Sequence, residues 1–382
     1  MLVTISNRPR DYAWGSTTLL ADLEGRTPDG RPEAEVWFGD HPGCPALVGD
    51  GSGRTLDAVR ADAEAPRLSF LLKLLAAGSP LSIQAHPSRA QAIEGFAREE
   101  AAGIPRDAGE RTYRDDNHKP ELIVAVSDVF RALAGLRPLE QTRLLLDGLG
   151  DAAGVRALAD RLSGADETAA LRDTIQWLLS GGAQAEVDDV IEAVRGADDE
   201  AFAVELTALR GIADAYPGDP GVVVALLMNV VELRRGEAVF VDAGVLHAYL
   251  EGLGVELMAA SDNVLRGGLT PKHIDVAELM TIVDTSTSAP PVLPARPVAD
   301  GVAVFDAGIA DFALWRVAVS GGSTDVALNG PAIAVSTTGG VTVTAGGSAV
   351  ALAAGGAVYA DEAEATITVS GTGEVFIAQP GR

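Results

Sequence analysis

The chain has 382 residues, with 54 acidic against 29 basic side chains and a formal net charge of −25 at pH 7. That field repels phosphate backbones and excludes a general nucleic-acid binder. The single cysteine, Cys44, excludes an internal disulfide framework, a Cys-based zinc finger and an iron–sulfur site. Residues 1–50 are rich in Gly, Pro and aromatics and read as short strands and loops. Their start, MLVTISNRPRDYAWG, has no basic region followed by an apolar run, so no secretory leader is expected. LSFLLKLLAA (68–77) is an apolar run broken only by Lys73. LSIQAH reads as a strand and PSRAQAIEGFAREEAAG as a helix closed by Gly103. A polar loop over 104–118 leads into a β-rich run, ELIVAVSDVF.

From Pro138 to Tyr216 the composition changes to Ala, Leu, Arg, Asp and Glu at helical spacing, which predicts four or five inserted helices. The segment 221–235 reads as one more helix. Its apolar stretch, 221–231, is far short of the ~20 residues of a membrane span. Short strands return after Gly236, and a Pro-rich connector follows at 288–297. Residues 300–382 show short strands with Gly turns, the pattern of a sandwich or barrel. The expected division is a catalytic unit in two parts (1–137 and 236–287), a helical insertion (138–235) and a C-terminal β domain (288–382).

Three segments carry candidate chemistry. In QAH, residues two apart share one face of a strand, so Gln84 and His86 project together and Ile83 and Ala85 oppose them. DDNHKPEL (115–122) packs Asp115, Asp116, His118, Lys119 and Glu121 beside a rigid Pro120. The third segment, Gly236 through Asp242, Gly244 and His247, resembles the second motif of cupin barrels, with Asp242 where that pattern has proline. The segment from Gly78 to His86 resembles the first cupin motif, with Gln84 replacing a histidine and Glu121 supplying the carboxylate. Two imidazoles, an amide oxygen and a carboxylate suit Zn²⁺, with a slight preference over Fe²⁺, Mn²⁺ or Co²⁺. A fourth segment, SDNVLRGGLTPKH, brings Asp262, Arg266, Lys272 and His273 around a Gly-Gly turn, which suggests a pocket for a small anion.

Taken in order, YAWGS, AEVWFGDHP, PLSIQAHP, DDNHKPEL, FVDAGVLHAYLEG and DNVLRGGLTPKH resemble the type I mannose-6-phosphate isomerases over the whole chain. The resemblance implies a mainly β fold with α, in which cupin-type jelly-roll barrels carry an inserted helical domain. It implies a cytoplasmic, monomeric zinc enzyme of carbohydrate metabolism, on the route to GDP-mannose, with one Zn²⁺ per chain. Its substrate would be a small phosphorylated sugar, with neither nucleic acid nor membrane as a partner. By position the metal ligands fall on Gln84, His86, Glu121 and His247, and phosphate binding on Lys73, Ser82 and Lys272. Catalytic candidates are Arg266, Lys119, His118 and Asp262. The only three lysines of the chain, Lys73, Lys119 and Lys272, all land on functional positions. His41 and His273 read as structural.

Aldose–ketose isomerisation moves a proton between C1 and C2, which needs a base and a stabilised enediolate oxygen. Arg266 would supply fixed positive charge at that oxygen. Lys119 and His118 stand equal as the base. Two other readings use the same residues: an Fe²⁺-dependent cupin dioxygenase and a non-enzymatic sugar-binding cupin.

Overall fold

The computed structural model describes all 382 residues, arranged as two nine-stranded antiparallel sheets and a block of helices. One sheet is built around a single long strand, His247–Ala259. The C-terminal part of that strand pairs with Phe70–Ala77 on one side and Glu121–Ala125 on the other. Its N-terminal part pairs with Val129–Leu136 and with the short strand Gln84–Ala85. The register slips between Tyr249 and Glu251, and Gly252 follows at φ 117°. A Cβ there would meet Phe130 at 2.8 Å, so only glycine lets the strand bend against its neighbour. This bend lets residues from both halves of one strand, His247 and Glu256, line one cavity. All eight residues of Phe70–Ala77 are buried, which is why the run is apolar throughout rather than alternating.

Five helices span residues 139–215: Leu139–Gly148, Ala153–Arg161, Glu167–Leu179, Gln184–Gly196 and Ala203–Ala215. Their apolar faces, such as Leu171, Ile175 and Leu178 or Val187, Val190, Ile191 and Val194, enter one core with Ile83, Ala85, Leu133 and Leu246 of the sheet. The insertion thus packs behind the strand that carries Gln84. The reading of 221–235 as one helix fails halfway. A helix covers Gly221–Leu226, and Met228–Arg234 is a strand paired with Val129–Leu136. Helix and buried strand look alike in a continuous apolar run. From Val230 onward, burial alternates with the side chains, which is the period of a strand.

The second sheet runs through Val302–Phe305, Ala313–Ala327, Thr366–Gln379, Ala332–Ala345 and Ala357–Ala360. Its last members come from the other end of the chain. Leu2–Ser6 pairs with Ala357–Ala360, and Leu47–Val48 pairs with Leu2–Ser6. The N-terminal strand therefore lies in the C-terminal sheet. Not every Gly-rich stretch of this region is a turn: TTGG and GTG lie inside the long strands Ala332–Ala345 and Thr366–Gln379. Gly339 and Gly373 face each other across the ladder. A Cβ on Gly339 would sit 2.1 Å from the Thr372 carbonyl, so the glycines serve close approach rather than chain reversal. Side chains of both sheets, among them Leu72, Leu74, Phe305, Tyr359 and Phe376, share one core.

Candidate metal centre and active site

Strand register assembles the site. Arg266 lies opposite Gln84, and Gln84 opposite His247, so three candidates stand in one row on adjacent strands. Glu121 opens its strand opposite Met258, and Lys73 lies opposite Glu256. Ser88 then caps the helix Arg89–Ala101 through a capping box with Gln91, which ends the Gln84–His86 segment directly after the site.

His86, Glu121 and His247 converge, with their donor atoms within 4.8 Å of one another. His86 Nε2 is 3.2 Å from Glu121 Oε1 and His247 Nε2 is 3.2 Å from Glu121 Oε2. The other ring nitrogens are committed to backbone carbonyls: His86 Nδ1–H donates to Asn263 O (2.7 Å) and His247 Nδ1–H to Val245 O (3.1 Å). A carbonyl only accepts, so in the neutral rings the proton sits on Nδ1 and each Nε2 turns its lone pair to the carboxylate. His86 Nε2 is buried without a hydrogen-bond partner. Burial, then Lys119, pushes the His86 pKa down to about 4, so the ring is neutral at pH 7. Burial alone would raise the Glu121 pKa, but the Lys119 ammonium holds it well below the usual carboxylate range. Lone pairs facing an ionised carboxylate in a buried space fit a cation between them. Gln84 Nε2 donates to Ser82 Oγ (3.1 Å), which leaves the amide oxygen as its donor atom. The set is two nitrogens and two oxygens without sulfur, which suits zinc.

A cavity of about 60 Å³ opens beside these ligands, lined by Ser82, Gln84, Lys119, Glu121, His247 and Tyr249, with Glu35, Lys73 and Glu256. Lys119 Nζ is 2.9 Å from Glu121 Oε1. Lys73 Nζ is 2.8 Å from Glu256 and 3.5 Å from Glu35. Burial opposes its charge, but the two carboxylates raise its pKa on balance, so Lys73 stays protonated with its charge committed to them. It does not join Lys272. Lys272 is placed near Arg266 and Arg114, and its pKa is lowered by burial, then by those two guanidiniums. Arg266 is lowered in the same way, by burial and then Arg114. None of these three cations has a carboxylate within ion-pair distance. Arg266 and His273 also line a second cleft against residues 109–112.

The two candidate bases part company. Lys119 lines the cavity, whereas the His118 ring turns the other way, its Nε2 2.9 Å from Asp311 Oδ2 of the C-terminal sheet region. Neighbouring side chains of an extended segment point to opposite faces. Asp262 Oδ1 lies 3.3 Å from His41 Nε2. Gly43 N–H donates to His41 Nδ1, so the His41 proton is on Nε2 and faces Asp262. Burial would raise the Asp262 pKa, but His41 and Lys119 hold it below its ordinary value.

Glu35, Glu256, Tyr249 and Arg114 escaped the sequence reading. Glu256 had a usable signal, the one that drew notice to Lys73: a charge inside an apolar run, GVELMAA, whereas Glu35 opens its strand two residues after Glu33. The Tyr249 hydroxyl is buried without a partner, and nothing in its local sequence distinguishes it.

Residues 2–139 match the family model described as phosphomannose isomerase type I, catalytic domain. The chain is 36% identical to the mannose-6-phosphate isomerase of Escherichia coli over 97% of each chain. It is 31% identical to that of Homo sapiens, with 87% of this chain and 86% of that one covered. Among solved structures, a mannose 6-phosphate isomerase bound with zinc and yttrium superposes with a TM-score of 0.89 at 32% identity, over the full length of both chains. The apo form from Salmonella typhimurium gives 0.89 at 31% identity, over 100% of this chain and 99% of that one. Those structures carry the cupin-type fold that the motifs imply, and they favour an isomerase over a dioxygenase or a sugar-binding cupin. The zinc-bound relatives agree with the His86–Glu121–His247 cluster, and the chain belongs to the type I mannose-6-phosphate isomerase family.

Proposed function

We propose that this chain interconverts mannose 6-phosphate and fructose 6-phosphate, with one zinc held by Gln84, His86, Glu121 and His247. The observation that carries the reading is the pair of His Nε2 lone pairs aimed at the Glu121 carboxylate, beside a cavity lined by Lys119. When bound, zinc supplies Lewis-acid polarisation of sugar oxygens. Lys119 moves the proton between C1 and C2, because it lines the cavity and His118 does not. Arg266, in the row with Gln84 and His247, supplies positive charge at the enediolate oxygen. The phosphate is held by Lys272 and Arg114, cations without carboxylate partners, rather than by Lys73. Lys73, held by Glu256 and Glu35, and Ser82, which receives the Gln84 amide, shape the cavity for the sugar hydroxyls. Asp262, held by His41, borders the same charged region and orients the substrate.

The catalytic unit of this reading is the sheet built from residues within 1–137 and 228–287, with the helices of 138–226 inserted behind it, and 288–382 form the second sheet together with Leu2–Ser6 and Leu47–Val48. The enzyme works as a cytoplasmic monomer on the path between fructose 6-phosphate and mannose donors such as GDP-mannose. No helix is long and apolar enough to cross a membrane.

The test is conversion of mannose 6-phosphate to fructose 6-phosphate by the purified protein, before and after EDTA and after zinc is restored. Chelator-sensitive turnover that zinc restores is the expected result. A zinc-loaded protein without turnover overturns the reading.

A further inference from the structure

We infer that Asp311, in the C-terminal sheet region, is a positioning residue for the reaction: it holds His118 so that the adjacent Lys119 points into the cavity. The inference rests on the isomerase reading above. Asp311 is buried and lies just ahead of the strand Ala313–Ala327. Its carboxylate receives His118 Nε2 at 2.9 Å and Arg89 Nη2 at 3.2 Å, and its backbone carbonyl accepts Ser69 Oγ at 2.7 Å. One residue beside the second sheet thus ties the start of the strand Phe70–Ala77, the start of the helix Arg89–Ala101 and the segment that carries Lys119.

That segment is held on its other side by the catalytic sheet alone. Asn117 Nδ2 donates to Ala260 O (3.1 Å), Asn263 Nδ2 to Asn117 O (2.8 Å) and the Ala259 N–H to Pro120 O (3.1 Å). Those bonds fix the backbone at Asn117 and Pro120 and leave His118 to Asp311. Lys119 precedes a proline and is therefore restricted to extended backbone. With the backbone extended, the His118 ring on one face puts the Lys119 side chain on the other, where Glu121 Oε1 receives its Nζ at 2.9 Å. The second sheet, which has no histidine or lysine of its own after residue 288, takes part in the active site through this one carboxylate.

The experiment compares Asp311→Ala, Asp311→Asn and His118→Ala/Asp311→Ala with the zinc-loaded wild type. Asp311→Ala is expected to lower kcat about 10–100-fold, the scale of a misplaced catalytic group. KM should stay within about twofold, since binding contacts are untouched, and zinc should remain stoichiometric. Asp311→Asn, which keeps an acceptor oxygen, should recover most of the rate, and the double variant should be no slower than Asp311→Ala. Deuterium exchange over residues 113–121 should rise in Asp311→Ala. Wild-type kcat in Asp311→Ala, additive losses in the double variant, or unchanged exchange overturns the inference. Absence of turnover in the wild type overturns the isomerase reading instead, and the exchange measurement then decides the positioning role.

Discussion

At the scale of single residues, the centre is organised by which nitrogen of each histidine is occupied. Asn263 and Val245 carbonyls take the Nδ1 protons and leave both Nε2 atoms for a metal. Substitution of His86, Glu121 or His247 by Ala is expected to abolish stoichiometric zinc, and Gln84→Ala to weaken it, all measured by elemental analysis after dialysis. Full zinc in any variant removes that residue from the ligand set. Arg266→Ala is expected to lower kcat by roughly 10²–10³, the loss of one donor at a developing oxyanion. Lys272→Ala should raise KM for mannose 6-phosphate with zinc retained. Steady-state kinetics separate these two roles, and a pure KM effect in the Arg266 variant would make it a binding residue. These histidines and Glu121, and the two cations Arg266 and Lys272, were legible in the sequence because each stands in a short segment with the right spacing. The ranking of Lys119 over His118 was not legible, since adjacent residues in a chain carry no mark of which face meets the cavity.

At the scale of elements, the strands Phe70–Ala77 and His247–Ala259 carry a buried ion pair across their ladder. Lys73 is opposite Glu256 in register, and both are nearly inaccessible to solvent. Removal of Glu256 leaves the buried Lys73 with only its longer contact to Glu35, 3.5 Å away, so the cost is at most that of a broken buried pair, about 3–5 kcal/mol. Glu256→Leu should therefore lower the unfolding free energy by up to that amount, and Lys73→Met/Glu256→Leu by clearly less, as measured by denaturant unfolding of the zinc-free protein. Equal losses in the single and double variants would mean that the pair does not act as a unit. The run around Lys73 was read correctly as apolar with one charge. Its partner was not, because Glu256 lies far along the chain and only the antiparallel register brings the two together.

At the scale of the molecule, the two sheets meet through charge as well as through their shared core. Glu374, in the last strand, accepts from Arg316 of its own sheet and from Arg235, which follows the strand Met228–Arg234. Burial would raise its pKa, but Arg316, Thr337 and Arg235 together hold it below the usual carboxylate range. A carboxylate depressed in the folded state contributes its stability in full above its unfolded pKa. That contribution is lost as pH falls through the lower folded value. Glu374→Gln should accordingly lower Tm at pH 7, and the gap to the wild type should close as the pH is taken down through the acid range. A gap that persists unchanged in acid would place its origin in packing rather than in ionisation.

By itself, the sequence determined the family resemblance, the mainly β architecture with a helical block, and the segments that supply the ligands. These properties depend on local spacing: Gln84 with His86, the DDNHKPEL run, and apolar residues at helical intervals from 138 to 216. Tertiary structure alone decided the rest. It put the strand Leu2–Ser6 into the C-terminal sheet, turned Met228–Arg234 from helix to strand, paired Lys73 with Glu256, and set His118 against Asp311. Each of these outcomes depends on a partner far along the chain. The physical reason is that side-chain spacing within a segment specifies which residues share a face, whereas the element that covers that face is chosen by packing and register across the whole molecule.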